Sequence, residues 1–212
     1  MSLKLIHTPG SRSLRIIFLL EELGLDYELE SYKYDGAFFA SAEFRKLSPM
    51  GKLPALWDND QVVVESTAVM QYLLDRYGPG GLTVDAADAD YAAYLQWFHM
   101  AEGGMANYLA VSLGHSTGIE QYQVTEAYDR YCRYQIEKAL LMLEQQLEGR
   151  DFLCKQGFTA ADISLFYTLF FAKFAIQAKF TERVEAYFQR LRVRPGGEKA
   201  LSDLPRGLAS AL

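Results

Sequence analysis

The sequence predicts an α/β unit followed by an all-α bundle, and three observations carry that prediction. Strand and helix signals alternate over residues 1–77 in the order β-α-β-α-β-β-α. Gly78 to Asp85 then holds three glycines and one proline in eight residues, a linker composition. Beyond it the strand signals vanish and long helical patterns take over. The expected division is residues 1–78 as the first domain, 79–87 as linker and 88–212 as the helical domain.

Leu3 to His7 reads as a short buried strand. Ser13 to Leu23 reads as a helix whose Leu14, Ile17, Phe18 and Leu20 make a broad apolar face, stopped by Gly24. Tyr27 to Glu30 is a second strand, followed by an irregular stretch with a short helix near Glu43 to Leu47. Ala55 to Trp57 and Val62 to Glu65 straddle Asp58-Asn59-Asp60, a hairpin signal. Ser66 to Tyr77 is a further helix, ended by Gly78-Pro79. A strand-helix-strand unit, a helix, a hairpin and a last helix make the thioredoxin-like arrangement, a four-stranded sheet with helices on both faces. In the second half, helices are expected from Asp88 to about Leu113, Glu120 to Leu147, Thr159 to Lys173, Glu182 to Arg192 and near Gly197 to Leu201. Gly114 to Gly118 would connect the first two.

Half of the 212 residues are hydrophobic and 14% aromatic, ample for a sizeable core. A net charge of −6 argues against nucleic acid or an acidic membrane surface as partner. Cys132 and Cys154 show no paired spacing, and His7, His99 and His115 are scattered, so no metal set is expected. Buried thiols in a reducing compartment, no basic leader around Leu3-Lys4-Leu5-Ile6 and no apolar helix long enough to span a bilayer together lead to an expected cytoplasmic protein.

Three stretches carry chemistry. Gly51-Lys52-Leu53-Pro54-Ala55-Leu56-Trp57 puts a proline at the mouth of an apolar strand, where its missing N–H is a fault in a sheet. A cis Leu53-Pro54 bond would turn the Leu53 backbone outward, free to pair with an extended peptide; the competing reading is a plain hairpin with a trans proline. Glu65-Ser66-Thr67 ends the next strand and opens a helix, where backbone donors suit a carboxylate; alternatively Ser66 is only a cap. His7-Thr8-Pro9-Gly10-Ser11-Arg12-Ser13-Leu14-Arg15 joins the first strand to the first helix, at the carboxyl end of a strand where ligands collect. Ser13 is the expected N-cap and Ser11 a hydroxyl beside the positive helix end. Arg12 and Arg15 add cations there, which suits an anion unless they are solvated or paired with Glu21 or Glu22. A fourth motif, Phe158-Thr159-Ala160-Ala161-Asp162-Ile163, reads as a capping box with a hydrophobic staple. It fixes a core helix and carries no chemistry, so Asp162→Ala is expected to cost about 0.5–2 kcal/mol.

Taken together, the chain resembles the glutathione S-transferase family in its serine-type soluble branch. Ser11-Arg12-Ser13-Leu14-Arg15 with Leu19-Leu20-Glu21-Glu22-Leu23-Gly24 is similar to a bacterial and fungal subgroup, as is Ala101-Glu102-Gly103-Gly104-Met105. The resemblance spans nearly the whole chain. It implies a transferase in which Leu53 pairs its main chain with the cysteinyl unit of glutathione and Pro54 is the family's cis-proline. Glu65 and Ser66 would bind the γ-glutamyl group, Lys52 would lie near the glycine carboxylate, and Ser11 would donate a hydrogen bond to the sulfur. It implies a homodimer with glutathione as co-substrate and no other cofactor. The electrophile is expected between the domains, on the Asp88 to Leu113 helix, with Tyr94, His99, Glu102, Met105 and Tyr108 as candidates. Glutathione-dependent peroxide or disulfide reduction and a non-catalytic binding role are the alternatives.

Overall fold

The computed structural model describes residues 2–117 and 123–209. They form two units: residues up to Thr83 together with Val193–Ala209, and Val84–Arg192. The first unit has a thioredoxin-like, mixed four-stranded sheet of order β2-β1-β3-β4. Its elements are β1 (Leu3–His7), α1 (Leu14–Leu23), β2 (Glu28–Ser31), α2 (Gly36–Phe39), α3 (Phe44–Leu47), β3 (Ala55–Asp58), β4 (Gln61–Val64) and α4 (Ser66–Tyr77). β1 runs parallel to β2 and antiparallel to β3, and β3 pairs antiparallel with β4. The Asp58-Asn59-Asp60 turn forms as expected, with Asn59 at φ 52°. α1 is apolar on nearly every side from Leu14 to Leu20 and ends in a left-handed Gly24; the Leu25 N–H closes back on the Leu20 carbonyl at 3.0 Å.

One element of the first half falls outside the expectation. α2 is a single turn whose start is capped by Asp35, its Oδ1 accepting from the Ala37 and Phe38 N–H groups. With α3 it lays Phe38, Phe39 and Phe44 against Tyr32, and the rings meet at 4.6–6.1 Å. Leu53 and Trp57 pack against the same cluster, and the Trp57 indole donates to the Leu47 carbonyl at 2.8 Å.

The second unit is all-helical: α5 (Tyr91–Met100), a π turn (Ala101–Ala106), α6 (Asn107–Thr117), α7 (Glu126–Gln146), α8 (Ala160–Ile176) and α9 (Glu182–Arg192). The single helix expected from Asp88 to Leu113 is therefore interrupted, and the interruption spans Gly103-Gly104, the residues least able to hold an α-helix. α7 begins later than expected because Thr125 caps it, its hydroxyl accepting from the Tyr128 N–H at 3.2 Å; Glu120 itself, like Gly118 of the expected connection, lies outside the described residues. α8 is buried all round and forms the axis of the unit. Its two hydroxyls serve neighbouring backbone: Ser164 donates to the Phe98 carbonyl at 2.8 Å and Thr168 to the Ala101 carbonyl, at the π turn, at 2.9 Å. Among the described residues no helix is long and apolar enough to cross a membrane.

The C-terminal stretch departs from the expected 88–212 domain. α10 (Pro195–Leu201) and α11 (Arg206–Ala209) belong to the first unit. α10 lies so close to α1 that a Cβ at Gly196 would come within 2.4 Å of the Phe18 ring and 2.7 Å of its carbonyl oxygen. A two-pronged bond from Arg194 to Glu22, at 3.1 and 2.6 Å, fixes the approach. Glu22 is thus occupied by a residue far along the chain rather than by Arg12 or Arg15.

Candidate functional site

The sheet register brings the three candidate stretches to one end. Ile6 of β1 faces Ala55 of β3, and Ala55 faces Val64 of β4. The 8–13 loop after β1, the Leu53-Pro54 pair before β3 and the Glu65-Ser66 corner after β4 therefore all emerge at the same edge of the same strands.

At the proline, the Leu53–Pro54 bond is cis. Pro54 is buried and Leu53 half-buried; neither the N–H nor the C=O of Leu53 has a partner among the described residues. The preceding turn is held by Ser48, whose hydroxyl donates to the Lys52 carbonyl at 2.5 Å. Gly51 sits at φ 66° with room for no side chain, since a Cβ would lie 2.9 Å from the Phe39 carbonyl oxygen. The Lys52 side chain is exposed.

At the corner, Glu65 holds φ 71° and ψ 113°, a strained conformation for a residue with a side chain. Its carboxylate is exposed, and the first N–H groups of α4 follow directly. Ser66 is 2% exposed and its Oγ accepts from Arg15 Nη1 at 3.0 Å, which leaves the hydroxyl hydrogen of Ser66 for another acceptor. Arg15 is fully buried. It therefore acts as a strut from α1 to α4 and not as the exposed cation expected at the helix start. Arg12 is half-buried.

The loop after β1 contains what sequence reading missed. Ser13 stands at the N-cap position of α1 with φ −63° and ψ −17°, but its hydroxyl makes no cap bond. Instead Ser13 Oγ lies 2.5 Å from Ser11 Oγ and 2.6 Å from His7 Nδ1. His7 Nε2 lies 2.8 Å from Asp203 Oδ2, which arrives on the stretch between α10 and α11. His7 and Ser13 are fully buried, Ser11 is half-buried, and the Asp203 carboxylate is 37% exposed. Burial lowers the His7 pKa below its ordinary value, against the raising effect of Asp203. The same C-terminal stretch covers Gly10, where a Cβ would meet Leu208 at 2.4 Å. In sequence, the one trace of this arrangement is the Ser-x-Ser spacing two and four residues beyond Pro9.

The candidates for the electrophile follow α5 and the π turn. Tyr94 and Met105 are buried, Glu102 and Tyr108 are half-buried, and His99 is exposed. Tyr108 meets the edge of Tyr131 at 6.1 Å. A surface depression of about 410 Å³ at the C-terminal end of α1, lined by Glu21, Asp26, Tyr27 and Lys199 among others, contains none of the candidate residues.

Comparison with known proteins bears on the whole chain. Residues 1–75 match the glutathione S-transferase N-terminal domain, and residues 121–206 match the C-terminal domain of the same family. The chain is 29% identical over 205 residues to glutathione S-transferase GstA of Escherichia coli O157:H7, which covers 94% of this chain and 98% of that one. It is 29% identical over 181 residues to glutathione S-transferase 3 of Schizosaccharomyces pombe, covering 79% and 73%. Among solved structures it is similar to a glutathione S-transferase of Actinobacillus pleuropneumoniae, with TM-score 0.77, 28% identity and 97% and 98% of the two chains covered. It is also similar to the transferase URE2P8 of Phanerochaete chrysosporium, solved with oxidised glutathione, with TM-score 0.80, 25% identity and 95% and 94% covered. With both halves of one family matched in order, and a sheet whose register gathers the cis-proline, the helix-start corner and the serine loop, the chain belongs to the glutathione S-transferase family.

Proposed function

We propose that this glutathione transferase is a serine-type enzyme in which Ser11 holds the sulfur of glutathione as a thiolate for attack on small apolar electrophiles. The observation that carries the reading is the convergence of three stretches at one sheet end, fixed by the Ile6–Ala55–Val64 register. Leu53 offers its backbone N–H and C=O to the cysteinyl unit, a short case of strand addition. Glu65 takes the γ-glutamyl amine, and Ser66 with the first N–H groups of α4 takes its carboxylate. Lys52 lies toward the glycine carboxylate. Arg12 adds positive potential, while Arg15 and Ser13 support the site from beneath. Tyr94, His99, Glu102, Met105 and Tyr108 supply the electrophile wall. A homodimer in the cytoplasm completes the reading.

The chemistry is modest in energy. A free thiol with pKa ~8.5 is only about 3% ionised at pH 7. Lowering that pKa by about two units takes ~2.7 kcal/mol of preference for the thiolate, within reach of a hydroxyl donor beside a helix start. Ser11→Ala should raise the bound thiol's pKa by about one to two units, the equivalent of ~1.4–2.7 kcal/mol, and so lower the thiolate available for conjugation at pH 7 by about 3–25-fold. Unchanged turnover with a chloronitroaromatic and an unchanged thiol pKa would remove Ser11 from its role.

A second reading, reduction of glutathione disulfides or peroxides at the same site, is favoured by similar proteins solved with oxidised glutathione, URE2P8 and URE2P6 of Phanerochaete chrysosporium. Parallel assays with a chloronitroaromatic, cumene hydroperoxide and a small disulfide separate the two. Silence in all three, with no retention on immobilised glutathione, would leave a non-catalytic subunit.

A further inference from the structure

The Ser11, Ser13, His7 and Asp203 side chains make one unbroken line of hydrogen bonds, from a half-buried hydroxyl through two fully buried groups to a carboxylate at the surface. We propose that Ser13, His7 and Asp203 are a proton relay: they draw the thiol proton of glutathione inward through Ser11 and set which way the Ser11 hydroxyl points. The inference rests on Ser11 as the sulfur's partner.

The direction follows from the ring. A carboxylate accepts only, so Asp203 fixes the proton of neutral His7 on Nε2. Nδ1 then has a lone pair and accepts from the Ser13 hydroxyl at 2.6 Å. Ser13 Oγ, its hydrogen committed inward, accepts from Ser11 at 2.5 Å. In this resting state Ser11 turns its hydrogen away from the ligand and shows the sulfur a lone pair. It receives S–H rather than donating to it.

Ionisation reverses the bonds from the sulfur to His7 and leaves His7 Nε2 donating to Asp203. The S–H bond breaks with its electron pair left on sulfur, and the proton passes to Ser11 Oγ. The former Ser11 proton passes to Ser13, and the former Ser13 proton to His7 Nδ1. A thiol and a neutral imidazole become a thiolate and an imidazolium, and both hydroxyls are regenerated. Ser13 now donates to Ser11, and Ser11 donates to the thiolate. The new imidazolium faces Asp203, the charged group that acts on the ring. When the electrophile expels an anion, the proton shift runs backward, from His7 Nδ1 to Ser13, from Ser13 to Ser11 and from Ser11 to that anion or to water at the open end, and the line resets. Burial of the ring keeps it neutral at rest, which is the state an acceptor needs. The unused N-cap position of Ser13 fits the same account, because a capping hydroxyl would be unable to bridge Ser11 and His7.

The test is a pH titration of the thiolate's ultraviolet absorbance on glutathione bound to the full-length protein. Wild type is compared with Ser11→Ala, Ser13→Ala and Asp203→Asn, and binding of S-methylglutathione, which has no thiol, controls for folding and site integrity. Ser13→Ala is expected to raise the bound thiol's pKa by about one unit, roughly a threefold loss of thiolate at pH 7 from a starting value of about 6.5, with S-methylglutathione binding retained. Asp203→Asn is expected to shift the same pKa upward by about half a unit, because it no longer fixes the tautomer. If Ser11→Ala loses the thiolate while the other two titrate as wild type, the relay is overturned and Ser11 keeps its role. If Ser13→Ala loses it and Ser11→Ala does not, the sulfur sits on Ser13, and both the relay and the role of Ser11 fall. Three wild-type curves would overturn both as well.

Discussion

Two helix starts in this chain are each served by a carboxylate and by hydroxyls, and their hydrogen bonds end differently. At α8 the Asp162 carboxylate is fully buried and saturated: Oδ2 accepts from the Thr159 N–H at 2.7 Å and the Thr159 hydroxyl at 3.0 Å, while Oδ1 accepts from the Leu153 N–H at 3.0 Å and the Tyr187 hydroxyl at 2.9 Å. Burial pushes its pKa up against the pull of these four donors, and drives that of Tyr187 well above ordinary. Every bond in that network closes on another part of the protein. At α1 the line from Asp203 through His7 and Ser13 stops at Ser11, which is half-buried and stands beside the cis-proline end of the sheet. A closed polar network holds structure together. One that stops at an accessible hydroxyl has capacity left for a ligand.

Asp162→Ala is the largest way to test that contrast. It strips acceptors from two backbone N–H groups and two hydroxyls, all in a buried setting, so the expected loss is about 3–5 kcal/mol. That exceeds the 0.5–2 kcal/mol of a simple lost cap, because the motif showed Thr159 alone and not the long-range donors Leu153 and Tyr187. Urea unfolding at constant m measures it, and conjugation per folded molecule should not move. A loss near 1 kcal/mol would mean that the network is not the closed unit described. Tyr187→Phe, which removes one donor and keeps the ring, should cost about 1.5–3 kcal/mol by the same measurement.

How far each site could be read from sequence follows from the reach of its contacts. Ser66–Tyr77 and Glu182–Arg192 were legible to the residue, because periodicity and end signals, Gly78 after the first and Thr181 before the second, are local. The capping box was legible for the same reason, its members three residues apart. α2 was not, since one turn is too short for a period, although Asp35 two residues before Ala37 was a readable turn signal. The serine loop was half legible. Ser11, Arg12 and Ser13 stood out as a group, but the acceptor of Ser13 is six residues back and the partner of His7 is 196 residues on. Asp203 reaches His7 because Gly196 lets α10 close on α1 and Arg194 clamps Glu22. No local pattern encodes that docking, and so His7 read as one of three scattered histidines.

The smallest expected effect sharpens the contrast most. Asp203→Ala at neutral pH should cost under about 1 kcal/mol, because the carboxylate is partly exposed and water can take its place on His7 Nε2. Its effect belongs to acid conditions, and the sign follows from the ring. The folded pKa of His7 lies below its ordinary 6.5, so the unfolded chain binds the proton first as pH falls. The contribution of neutral His7 is complete above that value and is lost on acidification toward the folded value, at up to about 1.4 kcal/mol per pH unit within the window. Asp203 raises the folded value, so removing it widens the window downward and the variant should lose more stability between neutral pH and about pH 5. Melting curves of both proteins across that range are expected to diverge as pH falls, with the variant lower. Parallel curves would mean that Asp203 does not govern the charge on His7, and the line ending at Ser11 would then be as structural as the one ending at Asp162.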